Sequence, residues 1–430
     1  MNRIIVICIY CALGVLHALS QVTVEDCQRK AQENYPLIRQ YDLVDKMTGL
    51  SLSNAAKAYL PQVTLSAQAT YQSDVASFPA EIENLFSLMG VEMHGLNRDQ
   101  YRVMLDVSQV IWDGGATKAR REMERAEGEV SKQNIAVELY ALGKRVNDLY
   151  FGILLLEEQL AQNNEMKRLL QENYNNVSAM VTNGVALPSD LDAVEVEMLT
   201  TQQQRVQIES SLSVYRKMLA ILVGDESIKH ATLTKPAYTD VWMESGIDER
   251  PEMRLYDAQI SRLDAQRQSI NASVMPQFGA FAQGFYGNPG LNMFNDMVEN
   301  RWSWNYIVGV RMQWNISSFY TRKNSLSKIE FARKQVENTR ETFRFNTALK
   351  LSEEQQTVER LQKVAAEDDK IIALRTSIRQ AAEAKLQNGV ISVSDLLAEL
   401  TKENNAKITR SIHEIELLKS IYDIKLTRNE

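Results

Sequence analysis

From Ile135 onward the apolar positions advance in alternating steps of four and three: Ile135, Leu139, Leu142, Val146, Leu149, Ile153, Leu156 and Leu160. After polar Asn163 and Lys167 the phase resumes with Leu170, Tyr174, Val177 and Val181. A sustained heptad of this kind predicts a coiled-coil seam. The helix is expected from about Ala116 to Val181, and at about 1.5 Å per residue it is roughly 100 Å long. Beyond Gly184 and Pro188 the pattern restarts at Leu191, Val194 and Met198, then Ile208, Leu212, Tyr215, Leu219 and Leu222. Two antiparallel helices joined at a tip over 182–190 follow. A second pair is expected from Ile371, Leu374, Ile378 and Ala381 before a tip over 387–395, and from Ile408, Ile412, Ile415, Tyr422 and Leu426 after it. The eight prolines leave 80–187 and 290–430 free of helix breakers.

A different period precedes each long helix. Val63, Leu65, Ala67, Ala69 and Tyr71 alternate with Gln62, Thr64, Ser66, Gln68 and Thr70, the period of two that marks a strand with one apolar and one polar face. Tyr101, Val103, Leu105 and Val107 oppose Arg102, Asp106 and Ser108, with Met104 as an exception. In the second half, strands are expected over 276–286 and 305–316, where Tyr306, Val308, Val310, Met312, Trp314 and Ile316 oppose Gly309, Arg311, Gln313 and Asn315. Aromatic residues gather at the strand ends. This alternation fits the wall of an outer-membrane barrel, and equally a soluble sandwich with one wet face. Four strands cannot close a barrel, so a wall in lipid requires several copies of the chain.

The chain also repeats itself. Asn183-Gly184-Val185 with Ser189-Asp190-Leu191 returns 205 positions later (183 to 388) as Asn388-Gly389-Val390 with Ser394-Asp395-Leu396. Tyr101 and Tyr306, Ile111 and Ile316, and Lys118 and Lys323 hold the same offset, the mark of a tandem duplication. The expected organisation is a signal peptide over 1–20, a first repeat over 21–223 with strands 61–72 and 101–112, a linker or equatorial segment over 224–248, and a second repeat over 249–430. The fold class is an α+β membrane protein of two repeats, each with two strands and long coiled-coil helices.

Arg3, the apolar run from Ile4 to Leu16 and the small residues Ala18-Leu19-Ser20 read as an export signal cut before Gln21. Cys8 and Cys11 then leave, and the remaining Cys27 cannot form an intramolecular disulfide. It reads as a small residue on the first helix. A net charge of −7 without a basic stripe argues against nucleic acid. His94, His230 and His413 show no metal-ligand spacing, and no phosphate loop, nucleophile elbow or dinucleotide glycine pattern is present. Neither enzyme activity nor a cofactor is expected.

Asn34-Tyr35-Pro36, Leu60-Pro61-Gln62, Met275-Pro276-Gln277, Trp112-Asp113-Gly114-Gly115 and the doubled Asn-Gly-Val tips, taken in this order, resemble the TolC-like outer-membrane efflux protein family. The resemblance implies a homotrimer with a twelve-stranded barrel in outer-membrane lipid and a helical barrel in the periplasm, with no enzymatic step. It further implies that the tips meet a periplasmic adaptor and an inner-membrane transporter, as in a tripartite efflux or type I secretion system. The family's second tip narrows the tunnel with aspartates. Asp395 matches the first of these, while Ala398, next to Glu399, replaces the second. Leu386 and Ile391 stand where the family carries a latching tyrosine and arginine, and Ser189 and Asp190 keep the partner side, so closure is left to apolar packing. Gly184, Val185, Ala186, Gly389 and Val390 are the expected adaptor-docking positions. For Asp190 and Asp395 helix capping is a second reading, compatible with the first. A periplasmic coiled-coil adaptor without a barrel is the alternative for the whole chain. That alternative has no need of four amphipathic strands.

Overall fold

The computed structural model describes residues 22–93, 95–238 and 246–429. The signal segment and His94 lie outside the described residues. Along the chain run α1 (Val24–Asn34), α2 (Arg39–Ala56), β1 (Gln62–Tyr71), α3 (Ala80–Leu88), β2 (Asp99–Trp112), α4 (Ala116–Thr182) and α5 (Pro188–Val223). They are followed by α6 (Pro251–Ala272), β3 (Gln277–Asn288), α7 (Met293–Glu299), β4 (Ser303–Gln313), α8 (Ser318–Gln387) and α9 (Val393–Arg428). The chain divides into two compact units, one of residues up to 41 with 132–256 and 338–430, the other of 42–131 with 257–337. No described helix is long and apolar enough to cross a membrane.

The second unit holds one antiparallel sheet in the order β1-β2-β3-β4. Its register aligns the alternation. Leu65 faces Leu105, which faces Gly284, which faces Tyr306, and Ala67, Val103, Tyr286 and Trp304 make the next apolar rung. Most of the apolar strand positions therefore share one face, and Gln68, Arg102, Asp106, Gln283 and Arg311 occupy the other, together with Met104, Val110, Phe281, Phe285 and Ile307. At one end Trp302 lies 6.0 Å from the Tyr101 ring and 5.2 Å from that of Tyr286, which is itself 5.0 Å from Trp304.

Three features differ from the expectation. Strand β4 stops at Gln313 rather than 316, because the Trp314 indole N–H turns aside to donate to the Val274 carbonyl at 3.0 Å and the chain then turns into α8. The β1–β2 and β3–β4 connections are not plain loops. They carry α3 and α7, pinned by Phe78 at 6.1 Å from Phe86 and 5.9 Å from Phe294. In α8 the stripe Ile371, Leu374 and Ile378 is 45%, 58% and 46% exposed, so it is not the seam of its own hairpin. Leu361, Ala382 and Leu386 are buried in its place. Of the line expected in α9, Ile415 is buried and Tyr422 packs half-buried against the core, but the buried line runs otherwise through Leu396, Leu400, Leu418, Ile421 and Ile424.

The first unit is built on two apolar cores. One gathers Val146, Tyr150, Phe151 and Ile153 of α4, Leu219 and Val223 of α5, Val24, Cys27 and Ala31 of α1, and Ile415 and Leu418 of α9. Burial pushes the Cys27 thiol up to about 12, so it packs as a neutral small side chain. The Tyr150 hydroxyl lies 2.6 and 2.7 Å from the carbonyl oxygens of Val22 and Thr234, tying the first residues to the segment after α5. The other core sits beside the tips and contains Met166, Leu170 and Val177 of α4, Val194 of α5, Ala382 and Leu386 of α8, and Val393, Leu396 and Leu400 of α9. Between the two cores the seam turns polar. Buried Asn163 donates to the Thr201 carbonyl at 3.0 Å beside a cleft of about 330 Å³ whose amides and hydroxyls are interleaved with Met166, Ile208 and Ile408.

Candidate functional site: the hairpin tips and the sheet wall

The two tips are built by the same backbone device. Gly184 and Gly389 hold φ of +72° and +71°, the left-handed region that L side chains rarely adopt. Gly184 N–H donates to Val181 O at 3.0 Å and Val185 N–H to Met180 O at 2.9 Å. Gly389 N–H donates to Leu386 O and Val390 N–H to Lys385 O, both at 2.9 Å. This pair of bonds closes the orphan carbonyls of the ending helix, as in a Schellman cap. No heavy atom lies within 4 Å of where a Cβ would stand on either glycine, so the backbone angle alone selects glycine there.

The next helix starts differently in the two tips. Ser392 caps α9: its hydroxyl accepts from Asp395 N–H at 3.2 Å and donates to the Asp395 carboxylate at 2.7 Å, which also accepts Ser392 N–H at 3.0 Å. This is a complete capping box. In the first tip Asp190 accepts Leu187 N–H at 2.9 Å, but Leu187 has no side-chain oxygen, and Asp190 N–H donates instead to the Leu187 backbone carbonyl at 3.0 Å. Both aspartates thus stand at the third helical position and hold a backbone N–H. Hydrogen bonds from the Ser392 hydroxyl and amide keep the Asp395 carboxyl below the usual carboxylate range.

The sequence-derived site residues separate into two groups. Val185 is 67% and Val390 68% exposed, Gly184, Gly389, Ser189 and Asp395 are exposed, and Ala186 and Asp190 are half-buried. Leu386 was expected at the pore constriction. It is buried in the tip core, because the α8 face that carries it packs against Leu396 and Leu400 of α9. Ile391 is half-buried against the same core.

A charged cluster that no motif announces braces the second hairpin. Glu403 of α9, nearly buried, accepts from Thr376 Oγ1 at 2.8 Å, from Lys407 Nζ at 3.0 Å and from the Arg379 guanidinium, which also reaches Glu383 at 2.5 Å. Burial pushes the Glu403 carboxyl up, but the bonds from Lys407 and Thr376 and the charge of Arg379 outweigh it and leave it below its ordinary value. The signal was present as Thr376, Arg379, Glu383, Glu403 and Lys407 at helical spacings. Nothing in the sequence alone told which charges face inward. Likewise His413, isolated in sequence, lies 2.8 Å from Asp368 in the fold. Among the described residues no cluster of histidine, cysteine and carboxylate side chains could hold a metal ion.

On the sheet, the apolar face is widely open: Val63, Leu65, Val308 and Val310 are 62%, 72%, 67% and 72% exposed, and Trp304 and Tyr306 more so. Each outer strand, β1 and β4, has a paired neighbour on one side only.

Residues 29–225 match the sequence profile of the outer membrane efflux protein family. No curated protein matches by sequence. The fold is similar to that of the CusC channel (TM-score 0.69, 14% identity, 95% of this chain and 92% of that one). It is also similar to VceC of Vibrio cholerae (0.67, 12%, 94% and 94%) and to the open state of MtrE of Neisseria gonorrhoeae (0.64, 14%, 94% and 88%). At these identities the likeness establishes the fold.

Proposed function

We infer that this chain is an outer-membrane efflux protein, a passive export duct rather than an enzyme, and that it works in a tripartite efflux or type I secretion system. The observation that carries the reading is the open apolar face of a four-stranded sheet with aromatic ends and two unpaired edges. In water such a face is an aggregation hazard, and in lipid the unpaired edges are intolerable. Both problems vanish if three copies join edge to edge, giving twelve strands with the apolar face toward lipid.

The helices fit the same assembly. Uncovered stripes at helical spacing, among them Ile371, Leu374 and Ile378 of α8 and Val196 and Leu199 of α5, need a partner surface that a second copy supplies. The helical part then lies in the periplasm, with Asp395, Ser189, Asp190 and Ile391 around the constriction. Val185, Ala186 and Val390 are exposed for an adaptor, which links the duct to an inner-membrane transporter. The energy for export comes from that transporter. A barrel-free adaptor leaves the exposed sheet face without a purpose.

The test is a planar-bilayer recording of the detergent-extracted mature protein, with membrane fractionation alongside. Stable conductance steps from protein found in the outer membrane are expected. Folded protein that is periplasmic and gives no steps supports the barrel-free adaptor instead.

A further inference from the structure

The polar face of the sheet carries Arg102, Asp106 and Arg311 as its charged residues. The two arginines are not arranged like ordinary surface side chains. The Arg102 guanidinium lies over the Phe285 ring at 4.5 Å from its centroid, and that of Arg311 over Phe281 at 4.8 Å. Phe285 and Phe281 both stand on this largely polar face, which also carries Met104, Val110 and Ile307, and Phe285 is buried there at 3% exposure. Such phenylalanines break the strand alternation, and their position under a guanidinium accounts for them. A ring under an arginine holds the charge flat against the wall and attracts it electrostatically.

Neither guanidinium is neutralised. Among the described residues neither lies within salt-bridge distance of a carboxylate. Arg102 instead borders a recess of about 230 Å³ whose other polar walls are the amides of Gln68, Gln72, Gln100 and Asn288. Asp106 is engaged sideways by the Gln283 amide at 2.6 Å. Through the register, Arg311 pairs by way of Gly279 with the level of Val110, eight residues along β2 from Arg102. At about 3.3 Å per residue the two levels are roughly 26 Å apart, beyond a Debye length of about 8 Å at physiological salt. Each acts as a separate cationic tier.

We propose that Arg102 and Arg311, held on Phe285 and Phe281, form two cationic tiers on the inner wall of the sheet that favour passage of anionic solutes. The proposal rests on the duct reading above, in which the polar face lines the lumen. Three copies then give six arginines against three aspartates on that wall, a charge balance opposite to that of an acidic tip. Fixed rings of one sign set ion preference without a closed binding site.

The experiment measures reversal potential across a KCl gradient, in an Asp395→Ala background so that the tip charge does not dominate. Replacing both arginines by glutamine (R102Q and R311Q together) is expected to lower the chloride-to-potassium permeability ratio by about twofold or more, since it removes all the fixed positive charge from that wall. R102K with R311K keeps the charge and is expected to retain most of the ratio. Each single glutamine variant is expected to show part of the loss, which covers the case in which the double variant does not assemble. Conductance steps with a ratio unchanged in every glutamine variant overturn the proposal and leave the duct intact. Absence of steps from folded, unsubstituted protein overturns the duct reading, and the proposal with it.

Discussion

At the scale of single residues, the two tips are a natural comparison, because duplication has kept the turn and changed the cap. Ser392 takes the Asp395 N–H on its side chain, whereas Leu187 can offer Asp190 N–H only its backbone carbonyl. Replacing Leu187 by serine should therefore complete the first capping box and stabilise the start of α5 by about 1 kcal/mol. Amide exchange across the first tip reads this directly, and protection that fails to rise counts against the cap. The opposite change is Gly389→Ala. Nothing crowds the site, so the cost comes from φ of +71° alone and is expected to be about 1 kcal/mol. Asp395 adds a pH dependence of known sign. Its carboxyl is held below its ordinary value, so its contribution to the tip is present above that value and is lost as pH falls through the lowered one. Protection of the α9 start should thus persist through mildly acidic conditions and decline only below the usual carboxylate range, and Asp395→Asn should remove the dependence.

At the scale of elements, Glu403 decides how firmly α8 and α9 are joined beside the second tip. A nearly buried carboxylate with three donors is costly to break and cheap to keep: removing it leaves half-buried Lys407 and the Thr376 hydroxyl without this partner and Arg379 with Glu383 alone. Glu403→Ala is expected to destabilise this hairpin by about 3 kcal/mol or more, whereas Glu403→Leu with Arg379→Leu should recover part of the loss. Thermal unfolding of the helical part distinguishes the two, and equal losses would mean the cluster is only a solvated surface. This joint was not legible in the sequence, where a charged residue at helical spacing reads the same whether it faces water or a neighbour. What was legible depended on strict local periodicity. The seam of α4 shows as buried Leu139, Val146, Ile153, Leu170 and Val177, and the strand alternation shows as a single apolar face across four strands. In α8 the most regular apolar stripe is the exposed one, since periodicity records which positions want cover and not which partner supplies it. The burial of Leu386 in the tip core is of the same kind: the resemblance placed it at the family's latching position, and only the packing against α9 shows what it touches within one copy. The helices α3 and α7 escaped notice because each is shorter than the window over which a helical period can be read.

For the whole molecule, the faces left uncovered by a single copy carry the argument for assembly. The exposed Ile371, Leu374 and Ile378 lie at spacings of three and four on α8, the geometry of a seam between helices, and none of them is covered within its own chain. If a second copy covers them, burying their remaining exposed area contributes about 1 kcal/mol each, and in the proposed trimer the effect recurs at three identical interfaces. Replacing all three by glutamine should therefore dissociate the proposed trimer into monomers in mild detergent, measured as mass by light scattering, while methionine at the same positions should preserve it. Dissociation by glutamine with retention by methionine assigns the stripe to the interface between copies. A glutamine variant that stays trimeric but conducts differently places the stripe on the lumen instead, since the wall of a water-filled tunnel tolerates polar residues that a packed seam does not.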